Sequence, residues 1–330
     1  MRLVYGDQAM RTKAAATISL SGPLALQGQQ AARGLELWAS ADEIELEIVD
    51  DAGSTATASD VYRSWLSAGT DLLLGPYGSN LVRRVGPITS GEGALLWNHG
   101  GSADDLSRPL VVSVPAPASS YFSGAVELTH RLGLEGVVLA RGTGRFAAAV
   151  TAGARQRSAE LGLTFHAMDL SQWSVARSTE DAALLIVGTF AEDLTLVSKV
   201  LAGRHPGLVG CVAAGLLDFG NRLGRASEGI VGPAQWIPSQ TTPEVGPASA
   251  DFTLRYKRAY GEPPGYVAAQ AAAAGFLSAE ANRRGYDHDR VRQWRTTTLL
   301  GTFALDESWR QVGHTPITIE WRNGRQVRVR

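Results

Sequence analysis

From Ala14 onward, short apolar runs alternate with amphipathic stretches, and each run stops at a turn bearing glycine, serine, proline or aspartate. Ala14 to Leu20 reads as a strand closed by Ser21-Gly22-Pro23, and Leu24 to Ala41 carries Ala31, Leu35 and Trp38 at helical spacing. Ile44, Leu46 and Ile48 alternate as a strand ending at Asp50-Asp51, and a helix through Val61 and Trp65 follows. Leu72 to Leu74 and Ala94 to Trp97 are two more strands, separated by a helix with Leu81, Val82, Val85 and Ile88 on one face. Strands separated by helices pair in parallel, so this order calls for an open parallel sheet covered by helices on both faces.

The same grammar restarts after strand Leu110 to Val114 and the punctuation Pro115-Ala116-Pro117. Helix Phe122 to Leu132 leads to strand Gly136 to Ala140, helix Arg145 to Leu161, and strands Leu163 to Met168 and Ala183 to Val187. Helix Leu194 to Leu201 and strands Leu208 to Ala213 and Gly229 to Gln235 complete the unit. A chain of 330 residues exceeds the usual limit of one core, so the restart marks a second lobe. The Pro-, Ser- and Thr-rich segment Pro238 to Pro247 is a further crossing, followed by helices Ser249 to Tyr260, Tyr266 to Asn282 and one near Val291 to Arg295. Alternation on both sides of Asn323-Gly324 ends the chain in a β-hairpin.

Sheets of this class bind ligands at the carboxyl ends of their strands. Two such loops, Tyr77-Gly78-Ser79 and His99-Gly100-Gly101-Ser102, follow adjacent strands and place a hydroxyl at or near a helix start. Free N–H groups and the positive dipole end there favour a carboxylate or phosphate. Ser79 and Ser102 also fit the plainer role of N-caps.

Competing chemistries are weaker. Gly142-Thr143-Gly144-Arg145-Phe146-Ala147 is a G-x-G-x-x-A after a strand, with Asp169 at the end of the next strand, which leaves an NAD-dependent enzyme as an alternative. No G-x-S-x-G or H-E-x-x-H occurs, and His99, His130, His166, His205, His288 and His314 never fall at metal-ligand spacing. His99 with Asp104 and Asp105 could suggest an acid–base pair, but a loop histidine that bonds a ligand or caps a turn is the simpler assignment. Cys211 stands in an apolar run as a core residue, and a single cysteine forms no intrachain disulfide. A formal charge of −1, with arginines scattered among acids, gives no nucleic-acid surface. No apolar run reaches the roughly 18 residues of a membrane span. Trp97 and Trp236 end strands, where they either pack in the core or wall a ligand.

Ser21-Gly22-Pro23-Leu24-Ala25 with Gly28, Asp50-Asp51, Leu74 to Ser79, Asn98 to Ser102, Gly232 to Trp236, Tyr266 to Gln270 and Gly301 to Asp306 occur in an order and spacing that resembles one family. It is the type I periplasmic binding proteins of the leucine/isoleucine/valine-binding group, the solute receptors of ABC importers. The resemblance covers essentially everything after Ala14. It implies two Rossmann-like α/β lobes joined by three crossover strands near Pro115, Pro238 and Leu300, with the ligand in the cleft between them. Lobe one would be 14–115 plus 239–300, and lobe two 116–238 plus 301–330, after a poorly ordered segment 1–13.

Carried over by position, the resemblance implies that Ser79 and Ser102, with the Gly101 carbonyl, hold a carboxylate and amine. Tyr77, Gly78, His99 and Gly100 flank them. Gln27 stands where relatives often have an aromatic, Phe146 replaces a common tyrosine, and Thr189, Phe190 and Trp236 complete the ligand-facing set. The G-x-G-x-x-A then becomes the loop that carries Phe146, and no cofactor is needed. Permease subunits are the implied partners, with no nucleic acid and no membrane insertion. Two departures stand out. Ala214-Gly215-Leu216-Leu217 replaces the usual acid that pairs a ligand ammonium, and Asp218 is the nearest carboxylate. The expected ligand is therefore a small carboxylate or amide with an apolar or aromatic body, ahead of leucine-type amino acids. The start MRLVYGDQAM lacks a secretory apolar run, so the chain is expected in the envelope only if a leader was removed, and otherwise in the cytoplasm as a sensor controlling a regulator.

Overall fold

The computed structural model describes residues 11–173, 181–203 and 207–329. Most of the expected disordered start and His205 lie outside them, and Lys13 is already in the first strand.

The first unit alternates β1 (Lys13–Ile18), α1 (Ala25–Ala41), β2 (Glu45–Asp50), α2 (Thr55–Ser67), β3 (Leu72–Leu74), α3 (Ser79–Gly91), β4 (Leu96–Asn98) and β5 (Val111–Ser113). Its five strands pair in parallel in the order β2-β1-β3-β4-β5. The chain then enters a second unit with α4 (Ser123–Arg131), β6 (Gly136–Arg141), α5 (Arg145–Glu160), β7 (Thr164–Asp169), β8 (Ala182–Val187), α6 (Phe190–Ala202), β9 (Val209–Cys211), α7 (Leu217–Leu223) and β10 (Val231–Ala234). It returns through α8 (Ser249–Tyr260), α9 (Tyr266–Arg283) and α10 (His288–Gln293), then through the antiparallel pair β11 (Arg295–Thr298) and β12 (Gly301–Ala304). The terminal hairpin is β13 (Ile317–Arg322) and β14 (Arg325–Arg328). The second sheet runs β14-β13-β10-β9-β8-β6-β7, parallel except for that hairpin.

Alanine explains why α9, late in sequence, belongs with the first sheet. Its run from Ala268 to Ala274 is almost fully buried against α1, where Trp38 is also sealed from solvent. Small side chains let the two helices approach closely, and burying their apolar surface contributes about 25 cal/mol per Å². The second core forms around Phe122, Leu139, Val150 and Leu185. Cys211 is buried, as its apolar run suggested.

The chain passes between the two sheets three times, after β5, after β10 and before β13. Two buried glutamines tie these passages together. Gln235 accepts from Ala116 N–H at 3.0 Å and donates to the Tyr121 hydroxyl at 3.1 Å. Gln311 accepts from Ala304 N–H at 3.1 Å and donates to the Val114 carbonyl at 3.4 Å.

Among the described residues, no helix is long and apolar enough to cross a membrane.

Candidate ligand-binding cleft

Between the carboxyl ends of the two sheets lies a cavity of about 900 Å³. Both units supply its walls: the starts of α1 and α3 from the first, the starts of α5 and α6 and the loop after β9 from the second.

Helix starts determine its polarity. α3 begins from Gly78 at φ 115° and α5 from Gly144 at φ 101°, backbone conformations that side-chain-bearing residues rarely adopt. Glycine has no side chain with which to cap, so the first N–H groups of both helices stay available. α1, begun from Leu24, also lacks a side-chain cap, and none of the three has an acid in its first turn. Each therefore directs unpaired donors and a positive dipole end toward the cavity.

Ser79 sits at the start of α3. Its Oγ accepts the N–H groups of Ser102 at 3.3 Å and Ala103 at 3.2 Å, while Ser102 Oγ accepts the Tyr121 hydroxyl at 2.9 Å. Both serine oxygens are thus held as acceptors from behind, and each keeps its own proton to donate forward. Two oriented hydroxyls beside open N–H groups suit an anionic oxygen. Tyr77, Tyr121 and Tyr266 line the same cavity, and burial raises the pKa of each, so they stay neutral. Phe146 packs edge-on against Tyr121, with ring centroids 5.4 Å apart, and extends this aromatic surface to the second unit.

Of the residues singled out from sequence, the structure brings Gln27, Tyr77, Gly78, Ser79, Gly100, Ser102, Phe146, Thr189 and Phe190 to the cavity. Three others do not line it. His99 is fully buried behind the wall, and desolvation drives its pKa down to about 4, only partly offset by the Gly75 backbone. Its carbonyl accepts from Gln270 Nε2. Gly101 is buried, and its carbonyl, assigned above to the ligand, accepts from Asn98 Nδ2 at 2.7 Å. Trp236 is core, packed edge-on against Phe252 at 5.9 Å. Trp97 is likewise core.

The acids have other partners. Asp218, the nearest carboxylate in sequence to the missing counter-ion, accepts from Gln30 Nε2 of α1 at 2.7 Å and does not line the cavity. Asp193 does line it, but its two oxygens accept Gly188 N–H at 2.7 Å and Ala213 N–H at 2.9 Å, and burial pushes its pKa up to about 7. Asp105 bridges the units, bonded to Arg83 at 2.7 Å and to Arg145 across the cleft at 2.8 Å; these arginines hold its pKa down at about 2. Among the described residues Asp193 is the lining carboxylate, and both its oxygens already accept backbone N–H groups. Asp169, the candidate ribose acid, lies 3.7 Å from Arg141 and away from the cavity.

Sequence reasoning missed Tyr121, Tyr266 and Gln270 at the cavity, and Gln235 and Gln311 at the crossings. Tyr266 and Gln270 were legible as one helical turn apart at the start of α9, but only the fold shows which loop they meet. Among the described residues no cluster of side chains could hold a metal ion.

Residues 12–297 match the family model described as periplasmic binding protein. No curated protein sequence matches the chain closely enough to count as a relative. Solved structures share the fold. The leucine binding protein LivK from Thermotoga maritima superposes with a TM-score of 0.83 at 17% identity, covering 97% of this chain and 98% of that one. LivJ from Streptococcus pneumoniae, solved with isoleucine, gives 0.79 at 17% identity over 96% and 97%. An ABC transporter solute binding protein from R. palustris, solved with benzoate, gives 0.79 at 16% identity over 97% and 95%.

Proposed function

The chain belongs to the periplasmic binding protein family, and from that membership we propose that it captures a small carboxylate for an ABC importer by closing its two lobes around it. Members of this family are substrate-binding receptors that work outside the cytoplasm, and their partners are the permease subunits of the importer. The favoured ligand is an acid or amide with an apolar or aromatic body. One observation carries this reading: three uncapped helix starts face the cavity, and the lining carboxylate among the described residues, Asp193, is engaged through both oxygens by backbone N–H groups. A buried ammonium without a counter-charge costs several kcal/mol, roughly the whole benefit of a good binding contact. The relatives solved with isoleucine and with benzoate show that this fold accommodates both amino acids and plain acids, and the charge of this cleft favours the second.

Closure follows from the wall chemistry, because a ligand that touches both lobes binds the closed state better and shifts the population toward it. A thermal-shift screen of carboxylates, amides and amino acids, followed by solution scattering of each hit, tests the proposal. A bound acid at about 100 times its Kd should stabilise the fold by roughly 2.7 kcal/mol and shrink the radius of gyration. Amino acids as the only hits, or hits that leave the scattering curve unchanged, would overturn it.

A further inference from the structure

The three crossings meet at one buried amide, for Ala116 stands on the first, Gln235 on the second and His314 on the third. Gln235 is 2% exposed; its Oε1 accepts the Ala116 N–H at 3.0 Å, and its Nε2 donates to the Ala116 carbonyl at 3.3 Å. That backbone pair fixes which way the amide faces, because a turned amide would set donor against donor and carbonyl against carbonyl. His314 Nε2 lies 3.4 Å from the same Oε1, so the third crossing meets the amide at its oxygen and leaves the donor side as it is.

A fixed amide dictates the protons beyond it. Nε2 carries two hydrogens; one goes to the Ala116 carbonyl and the other to the Tyr121 hydroxyl oxygen at 3.1 Å. An amide nitrogen accepts nothing, so Tyr121 cannot give its own proton back. Burial keeps that hydroxyl protonated, and the acceptor it reaches is Ser102 Oγ at 2.9 Å. Ser102, on the cavity wall, thus accepts from behind and has one proton left to give. The chain of bonds runs in a single direction, from the backbone of the first crossing to the cleft.

We propose that Gln235 is a positioning residue for ligand capture: acting through Tyr121 from the junction of the three crossings, it holds Ser102 as a hydrogen-bond donor toward the ligand carboxylate. This rests on the carboxylate reading above and adds which residue outside the cleft sets the polarity of one of its two serines. Gln235 does not line the cavity, so a role in the hinge alone would weaken binding whatever side chain stands at position 102. A role as a polarity relay would need the Ser102 hydroxyl.

A double-mutant cycle separates the two, read by calorimetric titration with benzoate and 3-phenylpropionate. Gln235→Met and Tyr121→Phe each break the relay with little change of volume, and each should weaken the better-binding acid by about three- to tenfold. In the Ser102→Ala background neither should cost more than about twofold, because the hydroxyl they orient is gone. Melting curves confirm that the variants are folded, and Tyr121→Phe carries the test alone if Gln235→Met does not fold. A loss above about twofold that persists in the Ser102→Ala background, or no such loss when Ser102 is present, overturns the relay and leaves the carboxylate reading standing. Failure of both acids to bind the wild type overturns both.

Discussion

The two walls of the cleft begin their helices differently. On the first lobe, α1 and α3 start without side-chain caps, and their donors are turned toward the cavity. On the second, α5 also starts uncapped, but α6 is closed by its own sequence: Thr189 Oγ1 accepts from Glu192 N–H at 3.3 Å, and the Glu192 carboxylate accepts from Thr189 N–H at 2.7 Å. Glu192, an acid in the first turn, further offsets the positive end of that helix. A helix that finishes its own hydrogen bonds is finished as structure, whereas one that does not is stabilised only when a ligand arrives. Two of the three open starts thus belong to the first lobe, which also holds the oriented serines, and the second lobe contributes one.

The contrast extends beneath the walls, where His99 of the first lobe and Asp193 of the second are buried groups of opposite sign. His99 in the first has its pKa lowered to about 4, so the unfolded chain takes up a proton that the fold refuses as pH falls from 6.5 to 4. His99 should cost up to about 3 kcal/mol of stability over that window, and His99→Leu should remove that part of the drop, leaving the part due to His314, whose pKa burial also lowers. Asp193 in the second has its pKa raised to about 7, so the fold holds a proton that the unfolded chain has lost. Its contribution should be fully present below about pH 4 and fade as pH rises through 7, and Asp193→Asn should remove that slope. Denaturant melts at several pH values read both, and slopes of the same sign would break the comparison.

Ser79→Ala comes next in size. It removes a donor to the ligand and the acceptor of two loop N–H groups, so affinity should fall ten- to hundredfold, the equivalent of about 1.5 to 3 kcal/mol. Thr189→Ala gives the mirror result, a loss of about 1 kcal/mol in stability with affinity nearly unchanged. The smallest effect belongs to Asp105→Asn, which loosens the bridge between Arg83 and Arg145 across an exposed rim. Below about 1 kcal/mol is expected, and it should be read as a larger radius of gyration in the unliganded protein.

The alternation of apolar runs and helices made the two sheets legible, because burial on both faces leaves a continuous apolar run that polar surface strands do not show. The Asn323-Gly324 turn likewise announced the final hairpin. β11 was not read, since Arg295 to Thr298 carries no apolar alternation and is held by pairing with β12. At the site, glycines before Ser79 and Arg145 marked the open helix starts. His99 was misplaced because a glycine-rich loop looks exposed, and only the packing of Gln270 against its carbonyl shows that it is sealed. Asp218 was ambiguous for a related reason: its partner Gln30 lies 188 residues away.

Calorimetry with 3-phenylpropionate, phenylalanine and 2-phenylethylamine, which share a body and differ only in charged groups, tests the polarity of the cleft most directly. The uncapped helix starts and the occupied carboxylates predict that the acid binds tightest, the zwitterion at least tenfold more weakly, and the amine not at all. Phenylalanine binding more tightly than 3-phenylpropionate would show that a carboxylate does reach the ligand ammonium, and would contradict the account.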